Sequence, residues 1–390
     1  MHLVEVTTPA QEKIFIELQQ KLYKGVENYI RPLDNDIKAV FDKEKNKLFR
    51  QEGTEVIRWI LEDSNGKAIG RVAAFVNGKI AHKEEQPTGG MGFFECINDK
   101  VAAEMLLTAC QTWLTERGME AMDGPINFGE RDAWWGLLVE GFDIDPNYRT
   151  NYHLPYYQQF FEDFGFQIYF KQYTYGRRIV GEVDAKMDRK ANMIDSNPDY
   201  RFEYLKKKQL PKFTQDFVTI YNNAWAGHGG VAEITLKEAT SLMGQFKPIL
   251  DEQIMWFGYH KEKPVAFFIC LPEINQIIKH VNGKLDLIGK AKFKYHQLRG
   301  TCRKALGLVF GVVKEHQGKG MDGAIIKAFQ DHTSYEYKRY DDFEMNWIGD
   351  FNPKMMLVAR QIKSRIVKTH HTYRKLFDET KEFKRMARIK

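Results

Sequence analysis

Two β-hairpin patterns 197 residues apart constrain the fold of this chain more than any other feature. In residues 56–76, and again in residues 254–271, two runs rich in β-branched and aromatic side chains flank a short polar connection. Runs of this kind around so short a connection are typical of hairpins. Trp59 and Trp256 occupy corresponding places in the two patterns. We therefore predict that one βαβ-type unit occurs twice in the chain.

The segments that follow the hairpins indicate the same division. Each hairpin precedes an apolar strand and then a helix, and a short helix follows later in each half. The predicted strands are 92–96 and 308–313, and the predicted helices are 100–117, 321–332, 156–164 and 352–362. The polar stretch 188–198 is interpreted as a linker, and the Lys- and Arg-rich region 273–304 as a packed helical excursion. We predict one domain in residues 1–185, a linker in 186–199 and a second domain in 200–390.

Composition excludes several classes of protein. A length of 390 residues accommodates two domains of about 150 residues each. Apolar residues make up 43% and charged residues 28%, which is the balance of a soluble globular chain. The longest apolar run, 305–313, is far shorter than the roughly 18 residues that a membrane span needs. We therefore expect no contact with a membrane.

The N-terminal residues, the cysteines and the net charge indicate where the protein is located and which ligands it binds. The first residues lack the basic and apolar regions of a secretion signal, and the four cysteines include no CxxC pair. We predict buried free thiols in a cytoplasmic protein, and no metal site. The net charge of +6 is too small to indicate nucleic acid by itself. Residues 354–390 hold 12 Lys or Arg against three acids, which a solvated helix face or an anionic ligand would explain.

The sharpest motif for chemistry follows the predicted strand 308–313. There Gln317-Gly318-Lys319-Gly320 leads into the predicted helix at Met321. A glycine-rich turn between a strand and a helix directs backbone N–H groups to one place, beside the positive end of the helix dipole. The pattern lacks both the Walker and the GxGxxG spacing. It predicts a phosphate site of another kind, the alternative being an ordinary strand-to-helix turn.

This motif resembles the acyl-CoA pyrophosphate loop of the GNAT acyltransferase superfamily, whose pattern is Gln/Arg-x-x-Gly-x-Gly/Ala. Gln317 and Gly320 match, whereas Asp322 stands where the family has glycine or alanine. Residues 160–166 resemble the Tyr-x-x-x-Gly-Phe ending of the family fold. The resemblance implies an α/β fold of two GNAT-like domains, each a mixed twisted sheet flanked by helices. The first half has Ile97-Asn98-Asp99-Lys100 in place of the loop, so it is expected to be a degenerate copy.

The resemblance also implies a set of residues for the co-substrate, acetyl-CoA or another acyl-CoA. Backbone groups of the strand would bind pantetheine and polarise the thioester carbonyl, the turn would bind phosphate, and a helix-start Asn would contact the cofactor. These residues are Val312, Val313, Gln317, Gly318, Lys319, Gly320, Met321, Asp322, Gly323 and Asn352. A solvated loop position for Lys319 and a helix cap for Asn352 are the plain alternatives.

Direct acyl transfer needs a base for the acceptor amine and an acid for the departing thiolate. The tyrosine that the family carries on its last helix is absent, because Val358-Ala359 stands there. We predict that Tyr373, Tyr340 or a first-half tyrosine replaces it. Glu344 is the predicted base, and a structural carboxylate paired with an arginine is the alternative.

The resulting hypothesis is an acyltransferase that moves an acyl group, with acetyl predicted, from acyl-CoA to an amine of an unknown acceptor. The first alternative is a non-catalytic protein of the same fold that binds CoA or a partner. Asp322 and the absent helix tyrosine favour that alternative, and the intact glycine turn favours the enzyme. A third hypothesis is transfer from aminoacyl-tRNA, in which the basic C-terminal end takes part; nucleic acid is otherwise not expected.

Overall fold

The fold is described from a computed structural model, which covers residues 1–83, 85–225 and 233–389, with the side chain of Trp225 left out. In this part of the chain thirteen strands form one continuous mixed sheet with helices packed on it. The strands are β1 (His2–Glu5), β2 (Glu55–Glu62), β3 (Ala68–Val76), β4 (Thr88–Cys96), β5 (Ala121–Gly124), β6 (Leu137–Glu140), β7 (Gln167–Arg178), β8 (Tyr200–Tyr204), β9 (Met255–His260), β10 (Lys263–Pro272), β11 (Lys304–Val312), β12 (Asp342–Gly349) and β13 (Arg365–Leu376).

The helices alternate with these strands along the chain. They are α1 (Pro9–Leu22), α2 (Asp34–Phe41), α3 (Lys100–Thr115), α4 (Tyr157–Asp163), α5 (Ala185–Asp195), α6 (Leu210–Trp225), α7 (Leu236–Phe246), α8 (Asn275–Ile278), α9 (Leu287–Leu298), α10 (Met321–Asp331) and α11 (Pro353–Gln361). The predicted elements that carried the division into halves are all present, with ends displaced by a few residues.

The repeat predicted from the hairpins is confirmed. Each half runs in the order strand, two helices, three antiparallel strands, helix, strand, helix, strand. In the two hairpins Trp59 pairs with Val72 and Trp256 pairs with Phe268. The first half adds β6 and the second adds α8 and α9, so insertions lie at different places in the two copies. The expectation of a mixed sheet flanked by helices is likewise confirmed.

The last strands of the two halves are exchanged between their sheets. The strand order is β1-β2-β3-β4-β5-β13-β7-β12-β11-β10-β9-β8, with β6 also paired to β13. Thus β13, the end of the second half, lies between β5 and β7 of the first half, and β7 pairs with β12 of the second. The two halves share one set of backbone hydrogen bonds across their junction.

The stretch interpreted as a polar linker is largely helical, because residues Ala185–Asp195 form α5. Met187, Ala191 and Ile194 recur at helical spacing and are buried, and Asp184 caps the first turn. The polar side chains that suggested a linker lie on the opposite, exposed face. The helical excursion predicted in 273–304 is confirmed as α8 and α9.

Two large apolar clusters form the core, one for each half. Each of the four cysteines is described, and each is a buried free thiol, as predicted. Among the described residues, no group of His, Cys, Asp and Glu side chains is arranged to hold a metal ion. Nor does any helix within the described ranges combine the length and apolar character needed to cross a membrane.

The strand exchange predicts that the first half does not fold alone. A fragment of residues 1–199 leaves β5 and β7 without the strand that joins them, and β4 and β5 pair over only three residues. We expect this fragment to lack a cooperative unfolding transition by near-ultraviolet circular dichroism. The same fragment with residues 364–380 attached through a Gly-Ser linker is expected to regain one. A cooperative transition in the shorter fragment would contradict the prediction and would favour the domain boundary predicted at 186–199.

Candidate active site

The site begins where two parallel strands separate. β11 and β12 pair over Lys304–Gly307 and Asp342–Met345, and the paired stretch ends there. Leu308, the next residue of β11, is 39% exposed although its strand is central. On the other side, a register shift in the pairing of β12 with β7 lies between Met345 and Ile348. The open edges of β11 and β12 therefore face each other across a cleft.

The edge of β11 offers backbone groups to this cleft. Val313 N–H donates to Val265 O at 2.9 Å, so it belongs to the pairing with β10. Successive residues of an antiparallel pair alternate between bonded and non-bonded positions, and Val312 N–H consequently points to the opposite edge. The carbonyl oxygen of Val312 accepts a hydrogen bond of 2.9 Å from Gln317 Nε2. Of the two predicted strand amides, only that of Val312 faces the cleft.

A glycine turn closes the end of this edge and opens α10. Gly318 and Gly320 have φ angles of 72° and 100°, which other residues rarely adopt. Among the residues that the structure describes, no side chain caps α10 at Gly320, and the first amides of a helix have no partner within it. The predicted turn and helix start are thus present, and their N–H groups are available for an anion.

Two glycines of the motif also serve close packing. A Cβ atom on Gly320 would lie 2.7 Å from Lys190 Cβ, and one on Gly323 would lie 2.9 Å from Met187 Cγ, both on α5. Lys190 Nζ donates to Gly318 O at 2.8 Å. Part of the glycine pattern is therefore explained by the contact between α10 and α5. That contact could not be read from the motif, because α5 was not expected.

The other residues of the turn differ in environment. Met321 is buried on the sheet side of α10, whereas Gln317 and Lys319 are exposed. Asp322 is half-buried in the first turn of the helix. An acid there stabilises the helix dipole, but it also repels a phosphate bound at the same N-terminus.

The equivalent place in the first half is closed. Asp99 caps α3 by accepting a hydrogen bond from Ala102 N at 2.9 Å, so a carboxylate already occupies that helix start. Ile126 N donates to Met91 O at 2.8 Å, which brings the chain back against β4 beyond its pairing with β5. Phe93 and Trp134 pack there, with ring centroids 5.9 Å apart. This helix start differs from the uncapped start of α10, and a first half that binds no CoA remains a prediction.

A buried charge cluster joins the halves beside the cleft. Glu344 on β12 contacts Lys304 Nζ at 2.5 Å and Lys368 Nζ at 2.9 Å. Asn147, from the first half, donates to Glu344 Oε2 at 2.9 Å, and Lys368 also donates to the carbonyl oxygen of Asp145 at 3.1 Å. Removing one partner from such a buried set costs about 3 to 5 kcal/mol.

This environment bears on the role predicted for Glu344. Burial alone would raise the pKa of its carboxyl, but the ammonium groups of Lys368 and Lys304 outweigh burial and lower it. A carboxylate that is paired twice and has a lowered pKa accepts a proton poorly. The surroundings match the structural alternative, with lysines in place of an arginine. The signal available in the sequence, an acid on a strand at the cleft, does not separate these roles.

Both halves line a small polar cavity that the sequence did not indicate. It has a volume of about 10 Å³ and lies among Asp132, Trp134, Trp135, Arg149, Thr150, Gln172, Thr174, Asn346, Trp347 and His370. Within the described residues, the buried atoms Trp135 Nε1 and Gln172 Nε2 have no hydrogen-bond partner. Asp132 is exposed at the mouth of this cavity, and the atoms packed around its carboxyl, and next Glu130, raise its pKa. Asn346 and Trp347 lie on β12 beyond its pairing with β11, so this cavity adjoins the cleft.

The architecture has counterparts among solved structures. The chain matches a tandem GNAT protein from the clavulanic acid biosynthesis pathway with a TM-score of 0.53 at 10% identity, over 97% of this chain and 99% of that one. It also matches a structure described as a GCN5-related glucosamine N-acetyltransferase region in a fungal multi-domain GH3 β-N-acetylglucosaminidase, with a TM-score of 0.53 and 11% identity. That match covers 96% of this chain and 38% of the fungal one. The chain has the GNAT fold.

Sequence comparison adds a relative of the same length. The chain is 25% identical, over 96% of its own length and 97% of the relative's, to a protein of Caulobacter vibrioides (strain NA1000 / CB15N) named bacterial ceramide synthase. A comparison with models of protein families finds no match.

Asn352, predicted to contact the cofactor, caps α11 of this GNAT fold. Its side chain accepts a hydrogen bond from Met355 N at 3.2 Å, and Pro353 takes the first helical position. That bond accounts for Asn followed by Pro without a ligand. The capping alternative is confirmed, and a contact with the cofactor remains a prediction.

Tyr373 lies in the exchanged strand β13, in the core of the first half. Its hydroxyl donates to Glu162 Oε1 at 3.2 Å, and its ring packs on Phe161 with centroids 5.7 Å apart. Burial, and then Glu162, raise its pKa. In the sheet, β7 and β12 lie between β13 and β11, so the structure does not bring Tyr373 to the glycine turn. Tyr340, the other named tyrosine, is buried and donates to Asp251 Oδ2 at 2.7 Å.

The basic C-terminal end comprises most of α11, where Lys354 and Arg360 are exposed, then strand β13 and the residues after it. Three of its basic residues are buried in β13 and paired: Lys368 with Glu344, Arg374 with Asp123, and Lys375 with Glu379. They are buried because β13 is a central strand, and its residues 368–376 are covered on both faces of the sheet. These three side chains therefore hold the sheet together, whereas basic residues before and after β13, such as Lys354 and Arg388, are exposed.

Glu273 provides a pH-dependent test of the junction between the halves. It accepts hydrogen bonds from Tyr148 N at 3.0 Å and Asn275 N at 2.9 Å, while its Oε2 atom is buried without a partner in the described part of the chain. Burial is the main cause that raises its pKa to about 7, against the opposing effect of Lys304. The folded state thus keeps a proton that the unfolded chain loses near pH 4.5.

We predict that Glu273→Gln stabilises the protein at neutral pH. Because the folded pKa is raised, the wild type loses stability relative to the variant as pH rises from about 5 to 7, by roughly 1 to 3 kcal/mol. Urea unfolding at pH 5, 6, 7 and 8 measures this difference. Glu44→Gln, at an exposed site, is the control and should give a constant difference. A constant difference for Glu273→Gln as well would contradict the assigned burial.

Proposed function

We propose that the chain is an N-acyltransferase whose second half takes an acyl-CoA and transfers its acyl group to an amine. One observation carries the proposal: the cleft between β11 and β12 leads directly to the uncapped glycine turn of α10, in a GNAT fold. The turn suits the pyrophosphate, because the free N–H groups of residues 318–323 and the helix dipole favour an anion. The closed cleft of the first half supports a single site.

The proposed chemistry is direct attack of an amine nitrogen on the thioester carbonyl. A C–N bond forms, the carbonyl oxygen gains negative charge, and the C–S bond then breaks to release the thiolate. Val312 N–H, which faces the cleft, is the proposed donor to that oxygen. A thiol has a pKa near 8.5, so its departure needs little help from an acid.

The base that removes the amine proton is proposed to be Asp132. It lines the cavity beside the cleft, and its raised pKa suits a proton acceptor better than the lowered pKa of Glu344 does. Asp132 belongs to the first half, so this proposal makes the degenerate copy part of the acceptor site. Glu344 is proposed to position β11, β12 and β13 through its two lysines.

The acceptor is proposed to be a long-chain amino alcohol. The support is the full-length relative named bacterial ceramide synthase, since a ceramide is the N-acyl derivative of such an amine. The resemblance to GNAT enzymes alone predicts acetyl as the acyl group, whereas that name favours a fatty acyl chain. A cytoplasmic location also remains a proposal, to which the four buried thiols lend support.

If CoA binds at the glycine turn, removal of the Asp322 carboxylate should strengthen CoA binding. Asp322→Asn is expected to lower the dissociation constant of CoA about threefold to tenfold, because a carboxylate no longer repels the pyrophosphate. Isothermal calorimetry measures it, with Asp195→Asn on the exposed end of α5 as the control. Unchanged or weaker CoA binding in Asp322→Asn would show that the phosphates lie elsewhere.

Thiol release tests the reaction. The protein is mixed with acyl-CoA of 2, 8 or 16 carbons and with a panel of amines that includes a long-chain amino alcohol. We expect release that depends on the amine, and a loss of about a hundredfold or more in kcat for Asp132→Asn but not for the exposed control Asp143→Asn. Tight binding of acyl-CoA without release for any amine would favour the non-catalytic alternative. Amine-dependent deacylation of aminoacyl-tRNA, which breaks a C–O ester bond and releases no thiol, would favour the third hypothesis if no acyl-CoA gives thiol release.

A further inference from the structure

Helix α9 carries four large apolar side chains that are exposed to solvent. Leu287, Ile288, Tyr295 and Leu298 are 86%, 70%, 53% and 74% exposed. Within α9 only Gly289 is buried. The helix belongs to the insertion between β10 and β11, which has no counterpart among the described residues of the first half. The repeated fold therefore does not require it.

The exposed apolar side chains share one face. On a helix of 3.6 residues per turn, Leu287, Ile288, Ala291, Tyr295 and Leu298 lie within an arc of about 100°. Basic side chains border that arc on both sides. They are Lys290 and Lys294 on one side, and Lys292 and Arg299 on the other. Residues 284–299 contain five Lys or Arg and a single acid, Asp286.

The protein holds α9 by the opposite face, so the apolar stripe is presented outward. Phe293 packs on the apolar clusters beneath. His296 stacks on His280 with ring centroids 3.9 Å apart, and Gln297 Nε2 donates to Pro248 O at 2.9 Å. Asp286 caps the helix through Gly289 N at 2.8 Å. Lys290, Lys292 and Lys294 are exposed, and Lys294 Nζ donates to Gln297 Oε1 at 3.2 Å.

We propose that α9 docks the protein on an anionic phospholipid bilayer, lying in the plane of the interface. The apolar stripe would enter the boundary between headgroups and acyl chains, and the flanking lysines would extend to lipid phosphates. Each basic side chain near a negatively charged leaflet adds to the binding. The earlier expectation of no membrane contact rested on the lack of a spanning segment, which a helix lying on the surface does not need.

The positive charge beside the apolar face of α9 favours an anionic bilayer over a second copy of the chain as its partner. Two copies meeting through α9 would bring two identical sets of basic side chains together, which is unfavourable at an interface. An anionic lipid surface instead neutralises both rows of lysines at once. The inference stands on α9 alone and does not depend on the acyl transfer proposed above, although a lipid acceptor would be delivered at such a surface.

The experiment is flotation of the full chain with vesicles. We expect binding to vesicles of phosphatidylcholine with 30% phosphatidylglycerol in 0.1 M NaCl, and at least about tenfold weaker binding to pure phosphatidylcholine or in 0.5 M NaCl. Equal binding to both vesicle types, or no binding to the anionic vesicles, would overturn the proposal. Neither result would bear on acyl transfer in solution.

Two variants and a matched control locate the contact. Leu287→Ser/Ile288→Ser/Leu298→Ser and Lys290→Glu/Lys292→Glu are each expected to weaken anionic vesicle binding about tenfold. The control Val180→Ser/Met193→Ser/Tyr335→Ser changes side chains that are 67%, 74% and 73% exposed elsewhere, and should bind as the wild type does. Equal loss in the control would overturn the assignment to α9. So would a dimer in size-exclusion chromatography without lipid that the serine variant alone abolishes.

Discussion

The hydrogen bonds that β13 makes on both of its edges are the interaction on which the rest of the structure depends. They join β5 and β7, and thereby turn two repeated sheets into one. They also place Lys368 beside Glu344. The buried Glu344 carboxylate on β12 pairs with Lys304 on β11 and Lys368 on β13, and so links the three strands where the cleft begins. The geometry of the candidate site in the second half is therefore fixed partly by residues and pairings of the first half.

Local features of the fold could be predicted from the sequence. The hairpins, the helix starts and the glycine turn depend on residues close together in the chain. Because the two halves repeat one order of elements, an element predicted in one half supported the equivalent element in the other. The exchange of β7 and β13 joins segments about 190 residues apart, and no local pattern reports it. Helix α5 was missed for a different reason: its polar face suggested a linker, while three apolar residues at helical spacing were too few to stand out.

In the candidate site, too, features that depend on neighbouring residues could be predicted and features that depend on distant residues could not. The turn at Gln317–Gly320 was identified because its chemistry resides in the backbone, and glycine marks such backbone in a sequence. The roles of side chains were harder to predict, because they depend on distant partners. Glu344 could have been a base or half of an ion pair, and only the positions of Lys304 and Lys368 separate the two. Asp132 was not among the predicted site residues, because its place in the cavity depends on Asn346 and Trp347, which lie far away in the sequence.

The exchanged strand also has a consequence for synthesis on the ribosome. β7 ends at Arg178, but its neighbour β13 begins only at Arg365. At roughly 5 to 20 residues per second, the nascent first half waits on the order of 10 to 40 seconds for the strand that completes its sheet. During that interval the edges of β5 and β7 are unpaired, and such edges recruit other chains. A chain with this topology should therefore depend on chaperones in proportion to how slowly its second half is translated.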